Sequence, residues 1–235
     1  MTDSVFLITG ASEGIGAATA RAAAAAGYRL ILAARRRDKL DALATELGGP
    51  DRALAIPCDI SDWAQLQELV SRGQDAFGRL DVAFANAAIA VTTSFTGGGG
   101  APPSEWAEMV RVNVLGTALT ARAALPALAM VPGHLVITGS VAGRVIRPGN
   151  LYSATKWAVS ALAASIRAEC VGSGVRVTLI QPGLTDTGEI AADRRDDPAL
   201  APADVARAVM YAVSQPAGVD VSEIVIRPVG QDPFR

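Results

Sequence analysis

Tyr152 and Lys156 stand four positions apart in the stretch Tyr-Ser-Ala-Thr-Lys, within a segment of about Tyr152–Val171 whose pattern predicts a helix. Four residues is little more than one helical turn, so both side chains share a face and the ammonium can hold its charge near the phenol. A phenol titrates near ~10 in model peptides, and bringing it to ~7 requires about 4 kcal/mol of preferential stabilisation of the phenolate. A neighbouring cation is a suitable source of that stabilisation. The pair is therefore fitted to pass a proton to or from a substrate oxygen.

A second stretch with chemical meaning lies near the start of the chain. The apolar run Val5–Thr9 passes directly into Gly10-Ala11-Ser12-Glu13-Gly14-Ile15-Gly16, and a helical pattern follows over Ile15–Ala26. A glycine-lined strand-to-helix turn lets backbone approach a pyrophosphate at a helix N-terminus, which points to a dinucleotide. The spacing is Gly-x3-Gly-x-Gly rather than the more common Gly-x-Gly-x-x-Gly, and alone it would be a weak signal. About 20 residues on, where an NAD site wants a carboxylate for the ribose hydroxyls, the sequence reads Ala33-Ala34-Arg35-Arg36-Arg37. Guanidinium groups at that place favour a 2′-phosphate, and so NADP(H) over NAD(H). Glu13 in the turn cuts the other way, because its charge opposes the extra phosphate.

These groups must be positioned by a frame, and the chain supplies a repeating strand-helix rhythm. Val5–Thr9, Leu30–Ala34, Ala53–Pro57, Val82–Ala85, Leu135–Thr138, Val175–Ile180 and a last run ending near Arg227 read as strands. Between them lie helical patterns over Ile15–Ala26, Asp38–Leu47, Trp63–Phe77, about Glu105–Ala129, about Tyr152–Val171 and one near the end. Seven strands too apolar to alternate predict an α/β, Rossmann-like, doubly wound parallel sheet covered by helices on both faces. Gly27 is expected to stop the first helix, and Asp38 and Asp62 to cap the second and third. The stretch Gly97–Gly100 with Pro102 and Pro103 reads as a loop, which leaves 1–235 as one domain.

The glycine turn and the Tyr-x3-Lys pair, with Asp59, Asn86, Asn113, Ser140 and Pro182-Gly183 in that order between and after them, resemble the single-domain short-chain dehydrogenases/reductases. The resemblance covers almost the whole chain. It implies hydride transfer between nicotinamide and a small carbonyl/alcohol pair, with Tyr152 as general acid/base and the positive nicotinamide of the oxidised cofactor helping Lys156 to lower the phenol. It also implies that Ser140 hydrogen-bonds the substrate oxygen, that Lys156 holds the nicotinamide ribose, and that Asn113 supports a water-linked proton relay. For the cofactor it implies contacts from Gly10, Ser12, Glu13, Gly14, Ile15 and Gly16 at the turn, and from Asp59, Ile60, Asn86 and Ala87 at the adenosine half. Pro182, Gly183 and Thr187, with Thr185 able to share the last role, would wrap the carboxamide. The segment Ala85-Asn86-Ala87-Ala88 departs at two positions from the family's usual Asn-Asn-Ala-Gly.

A dinucleotide-binding sensor without turnover is opposed by the intact serine, tyrosine and lysine. The extended relatives, epimerases and dehydratases, space the turn differently and need a larger C-terminal domain than the ~50 residues after Pro182. The 21 basic and 23 acidic residues give a net charge of −2 with no basic footprint for nucleic acid. One histidine, His134, and two cysteines, Cys58 and Cys170, have no metal-ligand spacing and read as structural. Trp63, Trp106 and Trp157 read as packing residues, with a pocket wall or a subunit contact as the alternative for Trp157, which follows Lys156 directly. With no signal-type or spanning stretch, the expectation is a cytoplasmic protein, and the resemblance implies a homotetramer or homodimer to which Val225–Val229 would contribute. The substrate pocket should come from loops near 94–103, 141–151 and 184–200, the last carrying the charged run Asp193–Asp197. Arg144 and Arg147 flank it and could meet an anionic substrate, although solvent-facing arginines are the more common outcome.

Overall fold

The computed structural model describes residues 4–188, 190 and 194–232. Seven strands, β1 (Val5–Thr9), β2 (Arg29–Ala34), β3 (Ala53–Pro57), β4 (Val82–Ala85), β5 (His134–Thr138), β6 (Arg176–Pro182) and β7 (Glu223–Ile226), form one sheet in the order β3-β2-β1-β4-β5-β6-β7. Every pairing is parallel. The expected doubly wound sheet is therefore the one observed, and its order reverses between β1 and β4, which opens a crevice at their carboxyl ends.

Strand residues of alternate parity feed two separate cores. Val5 and Leu7 of β1 pack with α3 (Trp63–Phe77), α5 (Thr117–Leu128) and α6 (Leu151–Glu169), while Phe6 and Ile8 pack with α1 (Gly14–Ala25), α2 (Arg37–Glu46) and α7 (Pro202–Val213). Burial on both faces is why these runs show no polar alternation. β7 departs from this expectation: as the edge strand it leaves Glu223 and Val225 exposed, so its pattern does alternate.

Local signals set most helix ends. Asp62 caps α3, its carboxylate accepting from Ala64 N–H at 2.9 Å and Gln65 N–H at 3.2 Å. Gly27, at φ 94°, turns the chain after α1 in a conformation that other residues resist. Asp38 is not a cap: the extended residue is Arg36, and Asp38 lies in the first turn of α2, where its charge complements the helix dipole. The long helix expected near Glu105–Ala129 is α4 (Pro103–Val110) and α5 joined by a π-helical segment, Arg111–Gly116, that carries Asn113. Trp63 and Trp157 are 38% and 49% exposed and so are not the packing residues expected, whereas Trp106 stacks edge-on against Phe95.

Candidate active site

Thr9 and Asn86 fasten the strand ends at the crevice. Thr9 Oγ1 donates to the Phe84 carbonyl at 3.2 Å and accepts from Asn86 N–H at 3.0 Å. The Asn86 amide donates to the Thr9 carbonyl at 3.0 Å and accepts from Thr138 Oγ1 at 3.1 Å. One asparagine thus ties β1, β4 and β5 together and stiffens the floor of a cleft of about 520 Å³.

The three turn glycines have different tasks. Gly10 and Gly14 take φ of 64° and 53°, a left-handed backbone that favours glycine. A Cβ on Gly10 would stand 2.8 Å from the Ala87 backbone, and one on Gly16 would overlap the Gly10 carbonyl oxygen. Gly16 therefore serves the packing of α1 on the turn and does not line the cleft, whereas Gly10 and Gly14 do. α1 begins at Gly14 with no side-chain cap from Glu13 and no acid in its first turn. Its leading N–H groups and the positive end of its dipole remain for an anion.

At one end of the cleft stand Ser12, Glu13, Arg35 and Arg36. Arg36 pairs with Glu13 and its guanidinium donates to Ser12 Oγ at 3.4 Å. Lys39, which the sequence had not singled out, reaches the same carboxylate at 3.2 Å. The Arg36 hydrogen bond, aided by Lys39, holds the Glu13 carboxyl below the ordinary carboxylate range. Arg35 is looser, 4.0 Å from Glu108. Beside them Asp59 and Ile60 enter the wall. Burial opposes ionisation of Asp59, but the Ser61 hydroxyl at 2.7 Å and N–H at 2.9 Å leave its carboxyl lowered.

Tyr152, Lys156 and Thr187 line the cleft as well. Lys156 is 2% exposed, donates to the Thr138 carbonyl at 3.0 Å and sits 5.7 Å from the centre of the Tyr152 ring. Burial alone pulls its ammonium from 10.5 down to about 8. Burial raises the Tyr152 phenol, and hydrogen bonding with Ser140 and the charge of Arg147 draw it back. Ser140 caps a 3-10 turn, Val141–Arg144, by accepting from Ala142 N–H at 3.1 Å. Its bland role as a turn cap and its place beside the phenol therefore coexist.

The remaining expected residues stand behind the wall. The Asn113 side chain is fully buried, accepts from Ile89 N–H at 2.8 Å, and donates to the Ile89 carbonyl at 2.8 Å and Thr155 Oγ1 at 3.1 Å. Pro182 ends β6, Gly183 N–H donates to the Ile226 carbonyl at 2.7 Å, and Thr185 Oγ1 donates to the Gly183 carbonyl at 3.1 Å. Of the two threonines only Thr187 faces the cleft, where its methyl would stand 3.0 Å from a Cβ on Gly14. Part of the 184–200 loop, and Asp193 of its charged run, lie outside the described residues. His134 is buried against Thr178 at 2.7 Å, far in role from the cleft.

Residues 4–198 match the family model for short chain dehydrogenase. The chain belongs to that family. An uncharacterized oxidoreductase of Staphylococcus aureus is 38% identical over 232 residues, covering 97% of this chain and 99% of its own. Among solved structures, an alcohol dehydrogenase from the archaeon Thermococcus sibiricus, complexed with 5-hydroxy-NADP, is 32% identical with a TM-score of 0.88 over 98% of both chains. The closed form of a serine dehydrogenase complexed with NADP+ is 29% identical with a TM-score of 0.89, covering 97% of this chain and 96% of its own. As a short chain dehydrogenase the protein is an oxidoreductase, and its cleft lies where its family's fold places a dinucleotide. Among the described residues no helix is long and apolar enough to cross a membrane.

Proposed function

We propose that the protein transfers a hydride between NADP(H) and a small carbonyl/alcohol substrate, with Tyr152 as general acid/base. The observation that carries this reading is the cleft itself, which is lined both by an uncapped helix N-terminus at Gly14 and by Tyr152, half-buried, with the buried Lys156 beside its ring. The residues present fit the cofactor. Gly10 and Gly14 with the start of α1 would hold the pyrophosphate, Asp59, Ile60, Asn86 and Ala87 the adenosine half, and Ser12, Arg35, Arg36 and Lys39 the 2′-phosphate. Lys156, Thr187 and the Pro182-Gly183 backbone would hold the nicotinamide end. That two similar structures were determined with NADP-type molecules supports the choice of the phosphorylated cofactor.

When bound, the nicotinamide supplies a hydride to the carbonyl carbon or accepts one from the alcohol. In reduction Tyr152 gives its phenolic proton to the substrate oxygen; in oxidation its phenolate takes the hydroxyl proton. Ser140 orients that oxygen and stabilises the phenolate by hydrogen bonding. Lys156, held by the Thr138 carbonyl, keeps a cation beside the phenolate and offers its remaining N–H groups to the cleft. Asn113 acts as a positioning residue in the proton relay, because it locks the Ile89 loop to Thr155, the neighbour of Lys156.

The buried free thiols, with Cys58 pushed up to about 12 by burial, suit a reducing cytoplasm. A homo-oligomer would cover the exposed Val225 and Val229. The reading is tested by following NADPH and NADH consumption across a carbonyl panel. Tyr152→Phe is expected to lower the rate by about 10²–10⁴-fold without loss of cofactor binding, and a Tyr152→Phe enzyme of undiminished activity would overturn it.

A further inference from the structure

The segment between Ser140 and Tyr152 carries two arginines whose surroundings differ. Arg144 forms an ion pair with Glu223 on β7, and Glu223 also accepts from Gln181, so this guanidinium holds the sheet edge. Arg147 has no equivalent. Its Nε is buried without a hydrogen-bond partner among the described residues. The turn that carries it is fixed: Asn150 N–H donates to the Arg147 carbonyl at 3.3 Å, and the Asn150 side chain caps α6 by accepting from Ser153 N–H at 2.8 Å. Tyr152 lies within the second of these, between Asn150 and Ser153 in the first turn of α6.

The electrostatic neighbours of Arg147 are Arg194, Tyr152 and Arg227. Burial first, and then Arg194, push its guanidinium below the ordinary range. Arg194 already has an acid, Asp197 at 3.0 Å, and Arg144 has Glu223. A buried guanidinium edge that faces other cations and meets no acceptor is unfavourable until an anion arrives. The planar fork of arginine suits a carboxylate, and its coupling to Tyr152 puts that carboxylate close to the oxygen that exchanges a proton.

We propose that Arg147 binds a carboxylate of the substrate, so that the reacting pair is a short-chain hydroxy acid and the corresponding oxo acid. This rests on the hydride-transfer reading for the reaction but not for the binding site. Arg147 fixes which end of the molecule enters first, and Ser140 and Tyr152 receive the hydroxyl or carbonyl oxygen. A neutral ester or diol of the same skeleton leaves the guanidinium unpartnered and is the poorer substrate.

The test uses 2-, 3- and 4-hydroxybutyrate and their methyl esters, with wild type, Arg147→Met and Arg147→Lys. Equilibrium binding is measured by calorimetry with and without saturating NADP+, and steady-state rates are measured in parallel. At least one acid is expected to bind at least tenfold more tightly than its ester. Arg147→Met should erase that preference through KM, whatever change in rate it causes for acid and ester alike through the Tyr152 phenol, and Arg147→Lys should restore part of it. The proposal is overturned if no acid is preferred over its ester, or if Arg147→Met weakens acid and ester alike. Acid binding that depends on Arg147 without hydride transfer to NADP+ would uphold the carboxylate site and remove the reaction assigned above.

Discussion

Removal of Arg36 should separate the two nicotinamide cofactors by a calculable amount. Arg36 and Lys39 converge on Glu13, and the three side chains are 44%, 45% and 45% exposed, so each ion pair is worth only ~0–1 kcal/mol. A 2′-phosphate brings nearly two negative charges and three acceptor oxygens, and each charge-assisted hydrogen bond contributes ~1.5–3 kcal/mol. Displacing Glu13 offsets a fraction of that gain, which leaves roughly 1–2 kcal/mol at Arg36, or about a five- to thirtyfold change in affinity. In fluorescence titrations Arg36→Ala should therefore weaken NADPH by that factor and NADH by less than about threefold. Glu13→Gln should act oppositely and tighten NADPH about two- to fivefold by removing the internal anion, with the differences shrinking as salt is raised. Equal weakening of both cofactors by Arg36→Ala, or weaker NADPH binding in Glu13→Gln, would show that the cluster serves the structure of the turn and not phosphate recognition.

Four further outcomes are expected. His134 is held neutral, since burial lowers it from 6.5 to about 3, and Thr178 donates onward to Val221, so Nε2 carries the hydrogen and buried Nδ1 is bare. The unfolded state then binds the extra proton, and stability falls as pH drops from about 6.5 to about 3 by roughly 1.4 kcal/mol per pH unit, a slope that His134→Gln should flatten in urea melts. Lys156 keeps its charge below about pH 8, so Lys156→Met should move the alkaline rise of alcohol oxidation to higher pH and lower kcat/KM by at least ~10²-fold; an unchanged pH profile counts against its role. Asn113→Leu removes three hydrogen bonds of a fully buried side chain and leaves both half-buried polar groups of Ile89 without that partner, so a loss of about 2–3 kcal/mol is expected on denaturation. Gly16→Ala forces a methyl onto the Gly10 carbonyl and should abolish NADPH binding, whereas Gly78→Ala, at φ 76° with open space around it, should cost about 1–2 kcal/mol and keep binding.

The limits of β1, β3, β4 and α3 match the sequence reading to the residue because each signal there is local: an apolar run, a bounding turn, an Asp62 cap. The Tyr152–Lys156 pair was legible for the same reason, since four residues on a helix fix a shared face whatever the rest of the chain does. Lys39 was not legible, because it meets Glu13 only through the way α2 passes over the glycine turn, 26 positions away in sequence. Thr138 escaped notice for a different reason. What it offers Lys156 is a backbone carbonyl, and any residue at that place carries one.

The two arginines of the 141–151 loop show where this boundary bears on function. In sequence Arg144 and Arg147 are equivalent cations three apart, and nothing nearby separates a committed guanidinium from an uncommitted one. The partner that commits Arg144 is Glu223, 79 residues downstream on the edge strand, and it becomes a neighbour only once β7 has paired with β6. Substrate recognition in this fold depends on such convergences, because the pocket is built from loops whose spacing is set by the sheet and not by the chain. Local chemistry therefore indicates the reaction, which needs a proton donor and a cation one turn apart. The identity of the substrate depends on which charge the assembled sheet leaves without a counterion near the proton donor, and among the described residues the arginine coupled to Tyr152 with a buried, unpartnered Nε is Arg147.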